Sequence, residues 1–402
     1  MNGRIVAFCG SACAIAAALG LGCSEGPRCL LHAVSQGDPN PVVPADGLPP
    51  EVALQPANNN LDVTVHQGRV FLAFRTSGSH FASATTELYV VSSEDATSWR
   101  FEGRFFRGTD LREPRLLSWG EKLFVYFAVL GSDPLAFEPQ GMMVSEYLAP
   151  GRFSEPEWFY QSGFIPWRAR VESGVPYLLS YVGGENIYEV NGKPIEVHWL
   201  KTSDGRTFEP VIPAQPVVLR GGGSETDFVF LDDGSLVAVS RDELGDELGW
   251  GTRICNAPRD DLGRWECVMD PKKYDSPLLF RQDGAVYLVG RRNLTESGNY
   301  DLFLRDLSPA EQTHRYEGDY SSRQKRCSLW RVNPHERRVE FVLDLPSRGD
   351  TCFPALRRLA PDTVEIYNYT SPLDGPDLSW FESQLRETVI NRVTLTFECV
   401  FE

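Results

Sequence analysis

Residues 223–241, GSETDFVFLDDGSLVAVSR, combine a hairpin pattern with three charged groups. The short apolar runs on either side of the DDG turn predict two antiparallel strands. Glu225 and Asp227 stand at the start of the first strand and Arg241 at the end of the second. Carboxylates act as general acids and bases, and an arginine binds a carboxylate through paired hydrogen bonds. The hairpin therefore brings together, at one end, groups that suit catalysis or the binding of a charged ligand.

Similar side chains occupy the matching positions of other predicted hairpins. Those at the start of a first strand are Asn60, Asp62, Asp110, Arg112, Glu113, Trp167, Arg168, Asp275 and Asp350. Those at the end of a second strand, or just beyond it, are Arg75, His80, Tyr126, Tyr181, Arg291 and Tyr369. Arginine is frequent in this set and lysine is absent, which favours a binding site. The alternative is that arginine–carboxylate pairs only hold neighbouring hairpins together.

These positions recur because the hairpin itself recurs along the chain. Equivalent second strands follow turns that begin at Gly68, Gly120, Gly174, Asp233, Asp283 and Pro361. The intervals are 52, 54, 59, 50 and 78 residues. Six such units predict an all-β fold, a six-bladed β-propeller over residues 58–402. The long last interval predicts an insertion between about residues 293 and 325. In a propeller, every first strand begins and every second strand ends on the same face, so the charged groups converge there.

Composition excludes several classes of function. The chain has 402 residues, of which 42% are hydrophobic, and a net charge of -16. Such a charge repels nucleic acid phosphates, so we expect no nucleic acid partner. The cysteines show no CxxC spacing and the histidines no HExxH pattern, so we predict no metal site and no cofactor. We expect a monomer whose partner is a small ligand.

The N-terminus has the pattern of an export signal. Arg4 precedes a short apolar run that ends in small residues before Cys23. This pattern resembles a bacterial lipoprotein signal over residues 1–22, with Cys23 as the lipidated residue; an ordinary secretory signal is the alternative. We therefore expect an exported protein, either in the cell envelope as an outer-membrane lipoprotein or secreted. Its only membrane contact would be the lipid, and residues 23–57 would form a proline-rich tether.

Six cysteines remain after the signal and Cys23, an even number that export allows to form disulfides. Cys255 and Cys267 flank one predicted hairpin. A propeller must also join its last blade to its first. If residues 29–35 pair antiparallel with residues 390–399, Cys29 faces Cys399. Cys327 and Cys352 then form the third pair. The alternative is that residues 24–57 form only a flexible tether and Cys29 stays free.

Several motifs resemble those of the sialidase superfamily over about residues 58–400. SEDATSW at residues 93–99 and TSDGRTF at residues 202–208 are similar to Asp-boxes, structural turns in which Asp95 and Asp204 accept backbone hydrogen bonds. SETDFVFLDDGSLVAVSR resembles the fourth-blade element and IYNYTSP the last-blade element. The resemblance implies an exo-acting glycoside hydrolase that releases terminal acidic sugars with retention. It assigns Tyr369 as nucleophile, Glu225 as its activating base, and Arg241 and Arg291 as carboxylate-binding groups.

Other motifs depart from that family. The first-blade arginine element is absent, and NNNLDVTV stands in its place. His80 lies where the family has its acid, so Asp62 or Asp110 would supply that group. DLREP at residues 110–114 resembles elements of five-bladed glycosidases, which makes a five-bladed propeller the alternative fold.

The substrate-binding candidates follow from the same positions. They are Arg75, His80, Arg112, Glu113, Trp167, Arg168, Asp227, Arg241, Arg291 and Asp350. Trp167, Trp250 and Trp380 are candidates for stacking on a sugar. Two other functions stay open: a glycosidase for neutral or uronic sugars that uses a carboxylate pair, and a non-catalytic surface lipoprotein that binds glycan or protein.

Overall fold

The computed structural model describes residue 29, residues 31–183 and residues 193–400. Its strands form six antiparallel sheets arranged as the six blades of a propeller. The predicted six-bladed fold is confirmed, and the five-bladed alternative is excluded. The turns expected to be equivalent, at Gly68, Gly120, Gly174, Gly234, Gly284 and Asp362, all connect the first and second strands of their blades.

The first three blades account for residues 57–221. Blade one contains β3 (Ala57–His66), β4 (Arg69–Ser77), β5 (Glu87–Ser93) and β6 (Arg100–Phe105). Blade two contains β7 (Leu111–Trp119), β8 (Lys122–Leu130), β9 (Pro139–Ala149), β10 (Arg152–Phe153) and β11 (Glu157–Phe159). Blade three contains β12 (Ile165–Glu172), β13 (Val175–Val182), β14 (Ile195–Thr202), β15 (Phe208–Pro210) and β16 (Val217–Gly221).

The last three blades include the two ends of the described chain. Blade four contains β17 (Gly223–Phe230), β18 (Leu236–Asp242), β19 (Thr252–Ala257) and β20 (Glu266–Asp270). Blade five contains β21 (Leu278–Gln282), β22 (Ala285–Asn293), β23 (Lys325–Asn333) and β24 (Arg338–Asp344). Blade six contains β25 (Ala355–Ala360), β26 (Thr363–Thr370), β27 (Val389–Cys399), β1 (His32–Gln36) and β2 (Asn40–Val43).

The ring closes between the two ends of the chain. Strand β1 pairs antiparallel with β27, with His32 opposite Cys399. Cys29 and Cys399 form a disulfide, and so do Cys255 with Cys267 and Cys327 with Cys352, as expected. The tether expected over residues 23–57 is not loose throughout. Strand β2 also pairs with β27, and it buries Val42 and Val43 in the core. Its Pro41 is tolerated because β2 lies at the edge of the sheet.

Asp-box turns join the third and fourth strands of blades one and three. Asp95 accepts hydrogen bonds from the backbone N–H groups of Thr97 and Ser98, both at 2.8 Å. Asp204 accepts from Arg206 and Thr207 in the same way. Gly205 has a φ of +80°, and its Cα lies against the Phe124 ring. These turns stabilise the connection between the third and fourth strands, which agrees with the structural role expected of both aspartates.

Two helices interrupt the propeller on one face. Helix α1 (Pro309–Ser321) lies in the insertion expected between residues 293 and 325, and α2 (Trp380–Gln384) lies between β26 and β27. Ser308 and Glu311 form a capping box at the start of α1. Tyr316 and Tyr320 of α1 pack with neighbouring aromatic side chains, including Trp380. No helix among the described residues has the length and apolar character needed to cross a membrane.

Candidate active site

A cavity of about 660 Å³ opens on the face where the first strands begin. We call it the upper cavity. Its wall includes Asn60, His80, Arg112, Glu113, Tyr181, Glu225, Arg241, Glu243, Arg291, Tyr369 and Trp380. Seven of these are residues predicted as catalytic or substrate-binding, namely His80, Arg112, Glu113, Glu225, Arg241, Arg291 and Tyr369. Trp380, predicted as a sugar-stacking candidate, also lines the cavity. The hairpin topology therefore assembles these groups from five different blades.

Irregularities in the first strands turn side chains toward this cavity. The strand pairing shifts around Asn60 in blade one, around Glu113 in blade two and around Glu225 in blade four. Asn60 and Glu113 have positive φ angles of 40° and 55°. Such bulges are common beside active sites because they re-aim side chains. Asn60 Nδ2 also donates to Glu113 Oε1 at 3.1 Å, which fixes that carboxylate.

Tyr369 forms one end of a hydrogen-bonded chain. Its hydroxyl donates to Asp350 Oδ1 at 2.9 Å, and His80 Nδ1 lies 2.7 Å from Asp350 Oδ2. Trp380 Nε1 also donates to Asp350 Oδ1, at 3.3 Å. Sequence reasoning paired Tyr369 with Glu225, whereas the partner in the structure is Asp350. Asp350 lies in the segment that precedes β25, the first strand of the same blade, and this segment runs beside the end of β26 that carries Tyr369.

The pKa values of this pair differ in direction. Burial, followed by the nearby Asp350 charge, raises the pKa of the Tyr369 phenol well above its usual value. Burial also opposes ionisation of Asp350, but His80, Arg291 and the Tyr369 hydroxyl outweigh it and hold its pKa below the usual value. At neutral pH the pair is a neutral phenol hydrogen-bonded to a carboxylate. Such a carboxylate can take the phenol's proton.

Arg241 and Arg291 approach the same carboxylate, that of Asp275. Arg291 Nη1 lies 2.8 Å from Asp275 Oδ2, and Arg241 Nε lies 3.9 Å from Asp275 Oδ1. The Tyr320 hydroxyl of α1 donates to Asp275 Oδ2 at 2.6 Å. Although burial opposes its ionisation, Lys273 and the two arginines lower the pKa of Asp275 to about 2. This buried aspartate is therefore a fixed negative charge behind the cavity wall.

Glu225 is held by charge and by backbone. Its Oε1 lies 2.8 Å from Arg241 Nη1, and its Oε2 accepts from the Ser276 N–H at 2.6 Å. Burial raises its pKa to about 7, against the lowering effect of Arg241 and with added repulsion from Asp275 and Glu113. Glu225 is thus a cavity carboxyl that can exchange a proton near neutral pH.

Three predicted residues are gathered in a different place. Arg75 is fully buried and pairs with Asp110 Oδ1 at 2.8 Å, while Arg112 pairs with Asp110 Oδ2 at 2.5 Å. Arg75 also donates to the backbone carbonyls of Ser79 and Phe81. Asp110 carries no exposed surface and is fully engaged, so it is not positioned as an acid. Of this group, only Arg112 reaches the upper cavity.

Asp62, Asp227, Trp167 and Arg168 lie deeper along the propeller axis. Asp62 accepts from the Leu116 N–H at 2.8 Å and Asp227 from the Leu279 N–H at 2.7 Å, so each links two blades. Arg168 Nε lies 3.2 Å from Asp227 Oδ2. Trp167 is buried, and the guanidinium carbon of Arg115 lies 4.6 Å from the centre of its indole ring. None of these four residues lines the upper cavity. The geometry therefore does not support the acid role expected of Asp62 or the sugar-stacking role expected of Trp167.

Sequence reasoning missed other residues that complete the site. Glu243 and Lys273, 3.0 Å apart, extend the network from Arg241. Lys273 lies 3.6 Å from Glu317 of α1, an inserted helix whose position the repeat does not encode. Trp250, a stacking candidate, is buried against Tyr316 instead. Cys23, the expected lipidation site, lies outside the described residues. Within the described ranges, His, Cys, Asp and Glu side chains form no group suited to a metal ion.

Comparisons with known proteins support the fold. No family model matches the chain, and no curated protein does. A protein of unknown function from Dyadobacter fermentans aligns with a TM-score of 0.60 and 14% identity, over 91% of this chain and 99% of that one. Trypanosoma rangeli sialidase in complex with sialic acid aligns with a TM-score of 0.55 and 12% identity, over 92% of this chain.

The same sialidase in complex with the inhibitor DANA aligns with a TM-score of 0.57 and 12% identity, over 90% of this chain. In both complexes the alignment covers 60% of the sialidase, so the chain matches a little over half of that protein's length. At these identities the similarity concerns the arrangement of the blades. The chain has the sialidase-like form of the six-bladed β-propeller.

Proposed function

We propose that the protein is an exo-acting glycoside hydrolase that works with retention and uses Tyr369 as its nucleophile. The observation that carries this proposal is the hydrogen bond from the Tyr369 hydroxyl to Asp350 at the wall of the upper cavity. A buried phenol with a raised pKa needs a base at the moment of attack, and Asp350 is the ionised group in contact with it. His80 and Trp380 hold the Asp350 carboxylate in place.

The proposed reaction has two steps. The Tyr369 oxygen bonds to the anomeric carbon of the terminal sugar while the bond from that carbon to the leaving oxygen breaks. The phenol's proton passes to Asp350, and a second acid protonates the leaving oxygen. Water then attacks the anomeric carbon, and the bond to Tyr369 breaks as the phenol regains its proton. Glu225 is the second group, because its pKa of about 7 lets it donate a proton first and accept one from water later.

The resemblance also implied that Arg241 and Arg291 bind the carboxylate of an acidic sugar, an interpretation that would gain from a third arginine, Arg75 or Arg112, at the same place. Arg241 and Arg291 do line the upper cavity. Arg75, however, is buried in its pairing with Asp110, and Arg112 pairs with the same carboxylate. Tyrosine chemistry therefore has support from the geometry, whereas the acidic-sugar part has support from two arginines only.

A second candidate mechanism uses Glu113 and Glu225 as a carboxylate pair on a neutral or uronic sugar. The observation in its favour is that both carboxyls line the upper cavity, where the Glu113 charge adds to the burial that raises the pKa of Glu225. One carboxyl would then protonate the leaving oxygen while the other acts as nucleophile or base. Tyr369 has no chemical role in this mechanism.

A panel of chromogenic glycosides that includes sialosides, followed by two substitutions, tests the proposal. On any glycoside that is cleaved, Tyr369→Phe is expected to lower kcat by at least about a thousandfold, since the nucleophile is lost. Tyr274→Phe is the matched control, because Tyr274 also donates to a carboxylate, that of Asp270 at 3.1 Å, but lies outside the cavity wall. Retained activity in Tyr369→Phe with loss in Glu113→Gln would establish the second mechanism instead. No cleavage of any glycoside by the native protein would contradict both.

We further propose that the protein is exported and acts as a monomer on glycans outside the cytoplasm. Its three disulfides support this, because such bonds persist in oxidising compartments. Lipidation of Cys23 would place it at the cell envelope, and secretion is the other possibility. Labelling with a radioactive fatty acid, lost in Cys23→Ala, would separate the two.

A further inference from the structure

The space between Arg241 and Arg291 is occupied by a carboxylate that belongs to the protein. Asp275 is 1% exposed and lies 2.8 Å from Arg291 Nη1 and 3.9 Å from Arg241 Nε. The Tyr320 hydroxyl donates to Asp275 Oδ2, the oxygen that also faces Arg291, at 2.6 Å. Two arginines that would converge on a ligand's carboxylate thus already share one.

The remaining hydrogen bonds of both arginines are also directed at the protein. Arg241 pairs with Glu225 at 2.8 Å and with Glu243 at 3.1 Å. Arg291 Nε donates to the Thr351 carbonyl at 2.7 Å, and its guanidinium carbon stands 4.8 Å above the Trp380 ring centre. A ligand carboxylate would have to displace these partners before it could form the paired hydrogen bonds that arginine offers.

The charge balance of this wall points the same way. The cations that line the cavity are Arg112, Arg241 and Arg291, and the carboxyl groups that line it are Glu113, Glu225, Glu243 and Glu317. Behind this wall, Lys273 adds one cation, and Asp275 and Asp350 add two carboxylates. Carboxylates therefore outnumber cations, so an anionic sugar meets like charge at short range. Sugar hydroxyl groups, by contrast, are donors that suit carboxylate acceptors.

We propose that this site takes a neutral terminal sugar, one without a carboxylate, because Asp275, from behind the cavity wall, already pairs with the two arginines that would bind that group. The proposal rests on the proposed glycosidase function for the site, but it concerns binding and can be tested without turnover. Asp275 is then a specificity-determining residue. It neutralises the two arginines from within and leaves hydroxyl recognition to the surrounding carboxylates.

Binding of matched probes in the Tyr369→Phe background tests this. The pairs are methyl glucoside with methyl glucuronide, and the methyl ester of N-acetylneuraminic acid with the free acid, measured by ligand-observed NMR titration. With Asp275 present, we expect each acidic member to bind at least tenfold more weakly than its neutral partner. With Asp275→Asn, which keeps the side chain's size but removes its charge, we expect the acidic members to bind at least tenfold more tightly.

Glu365→Gln is the matched control, because Glu365 is also a buried carboxylate between two arginines. It lies 2.8 Å from Arg357 and contacts Arg392, on β26 and outside the upper cavity. This variant is expected to leave every probe's affinity unchanged.

Equal or tighter binding of the acidic probes with Asp275 present would overturn the proposal, and so would the absence of any gain in Asp275→Asn. Should Asp275→Asn not fold, the comparison of acidic with neutral probes in Tyr369→Phe, which keeps Asp275, still decides. If the protein cleaves no glycoside but shows the expected binding pattern, the proposed reaction is contradicted and the preference for neutral sugars still stands.

Discussion

Removal of the ring-closing disulfide is expected to cost more stability than removal of either other disulfide. Cys29 and Cys399 are 370 residues apart, whereas Cys255 and Cys267 are 12 apart. In the chain-entropy model a crosslink stabilises by restricting the unfolded chain, and the effect grows with the logarithm of the loop. The long loop corresponds to ~6 kcal/mol and the short one to ~3 kcal/mol of unfolding free energy at 25 °C. The double serine variants should therefore differ by ~3 kcal/mol.

Urea unfolding without reductant, followed by tryptophan fluorescence and circular dichroism, measures these free energies. In the Cys29→Ser/Cys399→Ser variant, the first spectroscopic change should also occur at a lower urea concentration, because β1 is the outermost strand of blade six. The Cys255→Ser/Cys267→Ser variant is the control for the loss of a disulfide as such. Equal losses in the two variants, or a smaller loss for the ring-closing pair, would refute the idea that this crosslink holds the two ends of the propeller together.

Three further changes have expected outcomes. Asp350→Asn should lower kcat by about a hundredfold to ten-thousandfold on the best glycoside while leaving substrate affinity unchanged, because the base that receives the Tyr369 proton is lost; an unaltered kcat would remove Asp350 from the mechanism. Glu225 has a folded pKa of about 7, raised by burial, so the folded protein keeps a proton that the unfolded chain releases above pH 4.5 or so, and stability falls as pH rises through that window. Glu225→Gln should flatten this fall in urea unfolding at pH 5, 6 and 7, and an unchanged slope would show that Glu225 does not titrate there. Gly205→Ala should lower the melting temperature and cost about 1–3 kcal/mol, since the added Cβ would meet Phe124 at 2.2 Å, and a neutral effect would contradict the packing of that turn.

The sequence predicted the fold well because a propeller repeats a local pattern. Each hairpin has its own turn and its own apolar strands, so six copies predict six blades without any knowledge of long-range contacts. Ring closure was predictable for a related reason. An edge strand must be paired, and the short segment that begins at Cys29 offered a partner for the last strand, which ends at Cys399.

The site was predictable as a set of positions but not as a set of contacts. Topology alone brings Tyr369, Arg291 and Glu225 to one face. Depth along the axis is not visible in the spacing. Asp227 follows Glu225 by two residues, which moves it roughly 6–7 Å down the first strand and out of the upper cavity. The same step separates Asp62 from Asn60.

The pairing of side chains within the site could not be predicted from the sequence, because it depends on residues from different blades and from the inserted helix. Asp350 and Glu225 are both carboxylates at predicted strand starts, and only the three-dimensional arrangement shows that Tyr369 contacts Asp350. Asp275 was visible as a charged strand start, yet its place between two arginines depends on Tyr320 of α1. The repeat carries no information about that helix.

The central claim is that Tyr369, activated by Asp350, forms a covalent bond with the sugar. Incubation with a 2-deoxy-2-fluoro glycoside of the best substrate slows breakdown of that intermediate, and peptide mass spectrometry then locates the added sugar. We predict a label on the peptide that carries Tyr369, present in the native protein and absent in Tyr369→Phe. A label on Glu113 or Glu225, or a label on the Tyr369 peptide that persists in Tyr369→Phe, would contradict the account.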